Sequence, residues 1–130
     1  EAKQLIQVTK EALEKGIRAA SVGNYVGDIG YAIESYVKNQ GFNLVDELSG
    51  HGVGFAPHED PLVPNFGQPK TGDKLRPGMV IAIEPMVSVG SGRIRLLADG
   101  FTFVTQDGSL SAHFEHTILI TKSQAKILTG

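Results

Sequence analysis

Apolar residues recur at helical spacing over the first part of the chain and then give way to short β-branched runs. Leu5, Val8, Ala12, Leu13, Ile17 and Ala20 lie three or four residues apart in a stretch of good helix formers, which predicts an amphipathic helix over residues 1–20. After Gly23-Asn24, the residues Ile29, Ile33, Tyr36 and Val37 repeat at i, i+4, i+7 and i+8, and Gly41 stands where a glycine C-cap belongs. This predicts a second helix. Mixed apolar and polar residues at 42–48 suggest a short strand. Further on, residues 79–83, 87–89, 101–105 and 113–121 read as strands, with turn signals at 90–92, Asp99-Gly100 and Asp107-Gly108, the last being the best hairpin candidate. Two helices followed by a meander predict an α+β fold, two helices plus an antiparallel sheet.

Between these regions, residues 50–78 carry glycine and proline so densely that a long helix is excluded, and the stretch reads as structured loop. A loop of that length is expected to be functional. Composition narrows the classes. The chain has 130 residues, of which 41% are hydrophobic and 20% charged, a globular balance consistent with a single region over residues 1–130. The net charge of −2 and the absence of a dense Lys/Arg run argue against a nucleic-acid partner. No apolar run reaches the ~20 residues of a membrane-spanning helix, and residues 1–10 lack a signal peptide's pattern, so no membrane role and a cytoplasmic location are expected. Without cysteine there is no disulfide, thiolate nucleophile or Cys-based zinc site.

The four histidines fall in two places: His51 and His58 flank the glycine-rich loop, and His113 and His116 bracket Glu115. Glu84 and Glu115 each interrupt an otherwise apolar strand, where an ionised carboxylate is costly unless paired, hydrogen-bonded or metal-bound. Alternation places Glu84 on a face with Val80 and Ala82, and Glu115 on a face with His113, Thr117 and Leu119, with His116 opposite. If the two strands are neighbours, both carboxylates converge where the loop delivers His51. One imidazole and two carboxylates with open positions suit Mn, Fe, Co or Zn. The alternative is that each Glu pairs with Arg93, Arg95 or another cation.

Three long motifs carry a resemblance. They are Gly50-His51-Gly52-Val53-Gly54 with His58-Glu59-Asp60-Pro61 and Val63-Pro64-Asn65; Leu75-Arg76-Pro77-Gly78-Met79-Val80 with Ile83-Glu84-Pro85-Met86-Val87; and Asp107-Gly108-Ser109-Leu110-Ser111-Ala112 with Phe114-Glu115-His116-Thr117. In this order they resemble bacterial-type methionine aminopeptidases, over essentially the whole chain but only the C-terminal half of that family's catalytic domain. The resemblance implies half of a pita-bread fold and a metalloaminopeptidase that removes the N-terminal methionine of peptides and nascent proteins. It implies divalent metal ligation by His51, Glu84 and Glu115, a proton-handling role for Glu84, and contact of His58 with the substrate amide and developing oxyanion. Phe101 stands where the family commonly has Trp near the substrate, and His116 follows the bridging Glu as a supporting residue.

The family's two Asp ligands match nothing in this chain. The resemblance therefore implies two metals in the complete family site, at most one here, and slight or no activity for these residues alone. It also implies an exposed sheet edge through which the chain self-associates. A proline-directed aminopeptidase of the same superfamily is an alternative, suggested by Gly50-His51-Gly52-Val53-Gly54-Phe55, and a non-catalytic binding module with this fold is another.

Overall fold

The computed structural model describes residues 2–45, 49–52, 59–90, 94–96, 103–105 and 108–129, with only the backbone described at 49, 51, 59, 60, 94–96 and 103–105. Two helices open the chain, α1 (Ala2–Ala19) and α2 (Val26–Asn39). Among the described residues ten short strands follow: β1 (Asn43–Leu44), β2 (Ser49–Gly52), β3 (Glu59–Pro64), β4 (Val80–Ile83), β5 (Met86–Ser88), β6 (Ile94–Leu96), β7 (Phe103–Thr105), β8 (Ser111–His113), β9 (His116–Leu119) and β10 (Lys126–Ile127).

The helices form where the periodicity predicts. α1 buries Leu5, Val8, Thr9, Ala12, Leu13 and Gly16 along one stripe. α2 buries Val26, Ile29, Ile33 and Val37, and ends as its glycine requires. Gly41 adopts a φ of 84°, its amide donates to the Lys38 carbonyl, and the Phe42 amide donates to the Val37 carbonyl, a complete Schellman closure. At the other end, Asp28 accepts the Tyr25 amide at 2.7 Å and the Lys70 amide at 3.1 Å, so one carboxylate caps the helix and ties down a distant loop.

The strands build a five-stranded sheet ordered β10-β9-β4-β2-β3, a three-stranded sheet β1-β5-β8 and a β6-β7 pair, with every pairing antiparallel. Both helices pack on one side. Ile29 and Ile33 of α2 join Ile81, Ile83, Ile118, Ile120, Val63 and Val87 in one core, all buried. Gly16 lets the helices close on the sheet, since a Cβ there would stand 2.8 Å from Ile33 Cδ1 and 3.4 Å from Ile83 Cγ2.

Three local expectations are corrected. The stretch 50–78 is not loop throughout, because β2 and β3 occupy part of it and pair with each other and with β4. Proline lacks the ladder donor, and the edge strand β3 accommodates Pro61 where its register against β2 shifts and Pro64 at the strand's end. Gly50 is required inside β2, because a Cβ would lie 2.2 Å from the Ala82 carbonyl oxygen. Residues 113–121 are two strands, not one: β8 pairs with β5 and β9 with β4, in separate sheets. Asp107 lies outside the described residues, and among those described β7 pairs with β6 and β8 with β5 rather than with each other. Gly108, ahead of β8, adopts a φ of 76° that favours glycine.

Candidate metal centre

Two breaks in the strands face each other. Ladder register between β4 and β9 runs to the pair Ile83↔His116, and register between β5 and β8 starts at Met86↔His113. Glu84-Pro85 on one side and Phe114-Glu115 on the other lie in the gap, bridged by the Phe114 amide donating to the Pro85 carbonyl at 3.3 Å. The β4–β5 and β8–β9 segments therefore pass from one sheet into the next at the same point. Ile81, Ile83, Ile118 and Ile120 turn into the core under the helices, whereas Glu84 is half-buried and Glu115 exposed at the break.

The result is a cluster. One ligand-capable atom from each of Glu84, His113 and Glu115 lies within 4.8 Å of the others. His113 Nε2 is 3.5 Å from Glu84 Oε1, and the side chains of His113 and Glu84 are 41% and 19% exposed. The hydrogen bond to Glu84 holds the His113 imidazole above its ordinary pKa; partial burial opposes this, and the charges of Glu84 and Glu115 add to it. Two carboxylates and an imidazole this close fit a borderline divalent cation, and the partial exposure leaves room for further ligands.

The other anticipated residues fall as follows. His51 has its backbone in β2, in register with Ala82, two residues before Glu84, and its side chain lies outside the described residues. His58, Phe101 and Arg93 also lie outside the described residues, as does the side chain of Arg95. His116 faces the helix side: its Nδ1 is 3.1 Å from Thr129 Oγ1, and it lines a cavity of about 380 Å³ with Lys10, Leu13, Glu14, Phe114, Glu115 and Thr129. His113 was not among the anticipated ligands, although its shared face with Glu115 was legible. Asn65 was not singled out either. It is fully buried, and its Nδ2 donates to the Glu84 main-chain carbonyl at 3.0 Å.

The family model for metallopeptidase family M24 matches residues 1–122. The chain belongs to metallopeptidase family M24. It is 51% identical over 127 residues to methionine aminopeptidase 1 of Bacillus subtilis, covering 98% of this chain and 51% of that protein. The crystal structure of the methionine aminopeptidase of Thermotoga maritima superposes with a TM-score of 0.95 at 53% identity, over 98% of this chain and 51% of that one. The chain spans about half the length of the curated relatives it matches. Prolidase from Pyrococcus furiosus aligns less well, with a TM-score of 0.73 at 26% identity, over 98% of this chain and 32% of that one, so the proline-directed alternative is not favoured. The α+β pita-bread architecture expected from the motifs is the fold of this family, and M24 membership implies a divalent metal. No helix among the described residues is long and apolar enough to cross a membrane.

Proposed function

We propose that residues 1–130 are the part of a methionine aminopeptidase that carries one side of its metal centre, and that the complete protein hydrolyses the N-terminal methionine of peptides and nascent chains in the cytoplasm. The observation that supports this most is the convergence of Glu84, His113 and Glu115 from two strand breaks. Glu84 and Glu115 would hold the metal, with an imidazole from His51 or His113 as the third ligand. Mn, Fe, Co and Zn are all compatible with this donor set. A divalent ion bound there supplies Lewis acidity toward the scissile carbonyl and makes water a nucleophile near neutral pH.

The chain's own residues do the rest. Glu84, set at the edge of the centre, accepts a proton from the attacking water and returns it to the leaving amine. His58 donates a hydrogen bond to the developing oxyanion. Phe101 packs against the substrate's apolar side chain, and His116 braces the strand that presents Glu115. Lacking the family's two Asp ligands, these residues bind one ion, turn over slowly or not at all by themselves, and self-associate through the open sheet edge.

Calorimetric titration with Mn²⁺ and a Met-Ala-Ser cleavage assay test this reading. The expected result is one ion per chain, lost in Glu84→Ala and Glu115→Ala, with little methionine released. Two ions per chain, full turnover, or binding that survives both substitutions would overturn it.

A further inference from the structure

We propose that Asn65 is a positioning residue for Glu84, an inference that rests on the metal-centre reading above. Glu84 sits where ladder register stops, after Ile83 and before Met86. Its carboxylate can be held on target only if the main chain at the break is held too. Asn65 touches that main chain, since its side chain is fully buried and Nδ2 donates to the Glu84 carbonyl at 3.0 Å.

The other half of the same amide gives a second, independent indication. Asn65 Oδ1 is buried with no hydrogen-bond partner among the described residues. A buried unpartnered acceptor is unfavourable, and an apolar residue of the same shape would avoid it. An amide at this position is accounted for by what its donor holds.

Asn65 is in turn fixed from behind by α2. Gly30 has no side chain, and a Cβ there would lie 2.1 Å from the Phe66 carbonyl oxygen and 2.8 Å from that of Pro64, so the segment flanking Asn65 rests directly on the helix backbone. The Gly67 amide donates to Glu34 Oε1 at 3.4 Å, one turn further along the helix. A continuous path therefore runs from the α2 backbone through residues 64–67 and the Asn65 amide to the main chain of Glu84. Groups that orient a metal ligand in this way set its affinity by reducing the freedom it loses on binding.

The test is Mn²⁺ titration calorimetry on the wild-type chain, Asn65→Leu, Glu84→Ala and Ile33→Val. Asn65→Leu keeps the branching of the side chain and removes the donor, so its Mn²⁺ affinity should fall by about tenfold or more, while the lost hydrogen bond and the bulkier methyls also lower the metal-free melting temperature. Ile33→Val should lower the melting temperature without changing affinity, which separates lost stability from lost position. Unchanged affinity in Asn65→Leu overturns the inference. If Asn65→Leu does not fold, Asn65→Ser, too short to reach the carbonyl, is judged by the same criterion. Absence of Mn²⁺ uptake by wild type, or uptake that survives Glu84→Ala, defeats the metal-centre reading instead. A crystal structure of the Asn65 variant then decides the positioning role: a Glu84 carboxylate displaced from His113 supports it, and an unmoved one overturns it.

Discussion

Replacing Gly30 by Ala sets two physical effects against each other, and the structure determines which wins. Gly30 lies inside α2, where Ala is favoured over Gly by about 1 kcal/mol, so propensity alone predicts a more stable protein. The added Cβ, however, would meet three backbone atoms: the Phe66 oxygen at 2.1 Å, the Phe66 carbonyl carbon at 2.5 Å and the Pro64 oxygen at 2.8 Å. Ordinary carbon contacts begin near 3.5 Å, so residues 64–66 must retreat by roughly 1 Å. Main-chain atoms cannot swing aside as a side-chain tip can. Overpacking of this kind costs about 1–3 kcal/mol. The retreat also pulls Asn65 away from the Glu84 carbonyl, removing a hydrogen bond worth about 1 kcal/mol. Against the propensity gain, the net expectation is a loss of about 1–3 kcal/mol. Urea unfolding followed by circular dichroism measures it, with Ser35→Ala on the exposed side of α2 as a control that should be neutral or slightly stabilising. A Gly30→Ala protein as stable as wild type, or more so, would refute the packing argument.

Two further outcomes follow from the packing and the charges. Ile118→Ala, at a fully buried position beneath the helices, should cost about 2–5 kcal/mol, whereas Ile127→Ala, 48% exposed on the outermost strand β10, should change stability by less than about 0.5 kcal/mol; equal shifts in urea midpoint for the two would contradict the assigned core. The Tyr36 phenol is pushed up to about 12 by burial, by its hydrogen bond to Glu11 and by the nearby charges of Glu11 and Glu14. A raised folded-state pKa adds stability that is complete below the ordinary tyrosine value of about 10 and is lost as pH rises from there toward 12. Phenolate absorbance of the folded protein should retain a late step near 12 that Tyr36→Phe abolishes, and an unchanged titration in that variant would exclude the assignment.

Local physics made both helices legible. The burial stripe of α1 and the Gly41 closure of α2 depend on residues within a few turns of each other, so spacing alone carries the signal. The strands of residues 50–78 were hidden because glycine and proline usually break strands. Here the deciding fact is position in the sheet: Pro61 lies at the register shift of the edge strand β3 and Pro64 at that strand's end, and Gly50 lies where the Ala82 carbonyl approaches too closely for a side chain. No local pattern distinguishes those circumstances from a loop.

The site divides in the same way. The chemical types were readable from the chain, because Glu84 and Glu115 interrupt apolar runs and a carboxylate there needs a reason. Motif order was enough to indicate the family to which the chain belongs. Tertiary structure alone decided that both interruptions are bends where paired strands change sheets, that these bends coincide, and that His113 joins the two carboxylates. Only the fold brings Asn65 beneath Glu84, across a segment of chain that sequence spacing cannot measure. Side-chain type and periodicity are properties of neighbours along the chain, whereas ligand convergence depends on which distant strands pair and in what register, and that is set by burial of the whole isoleucine-rich core against α1 and α2.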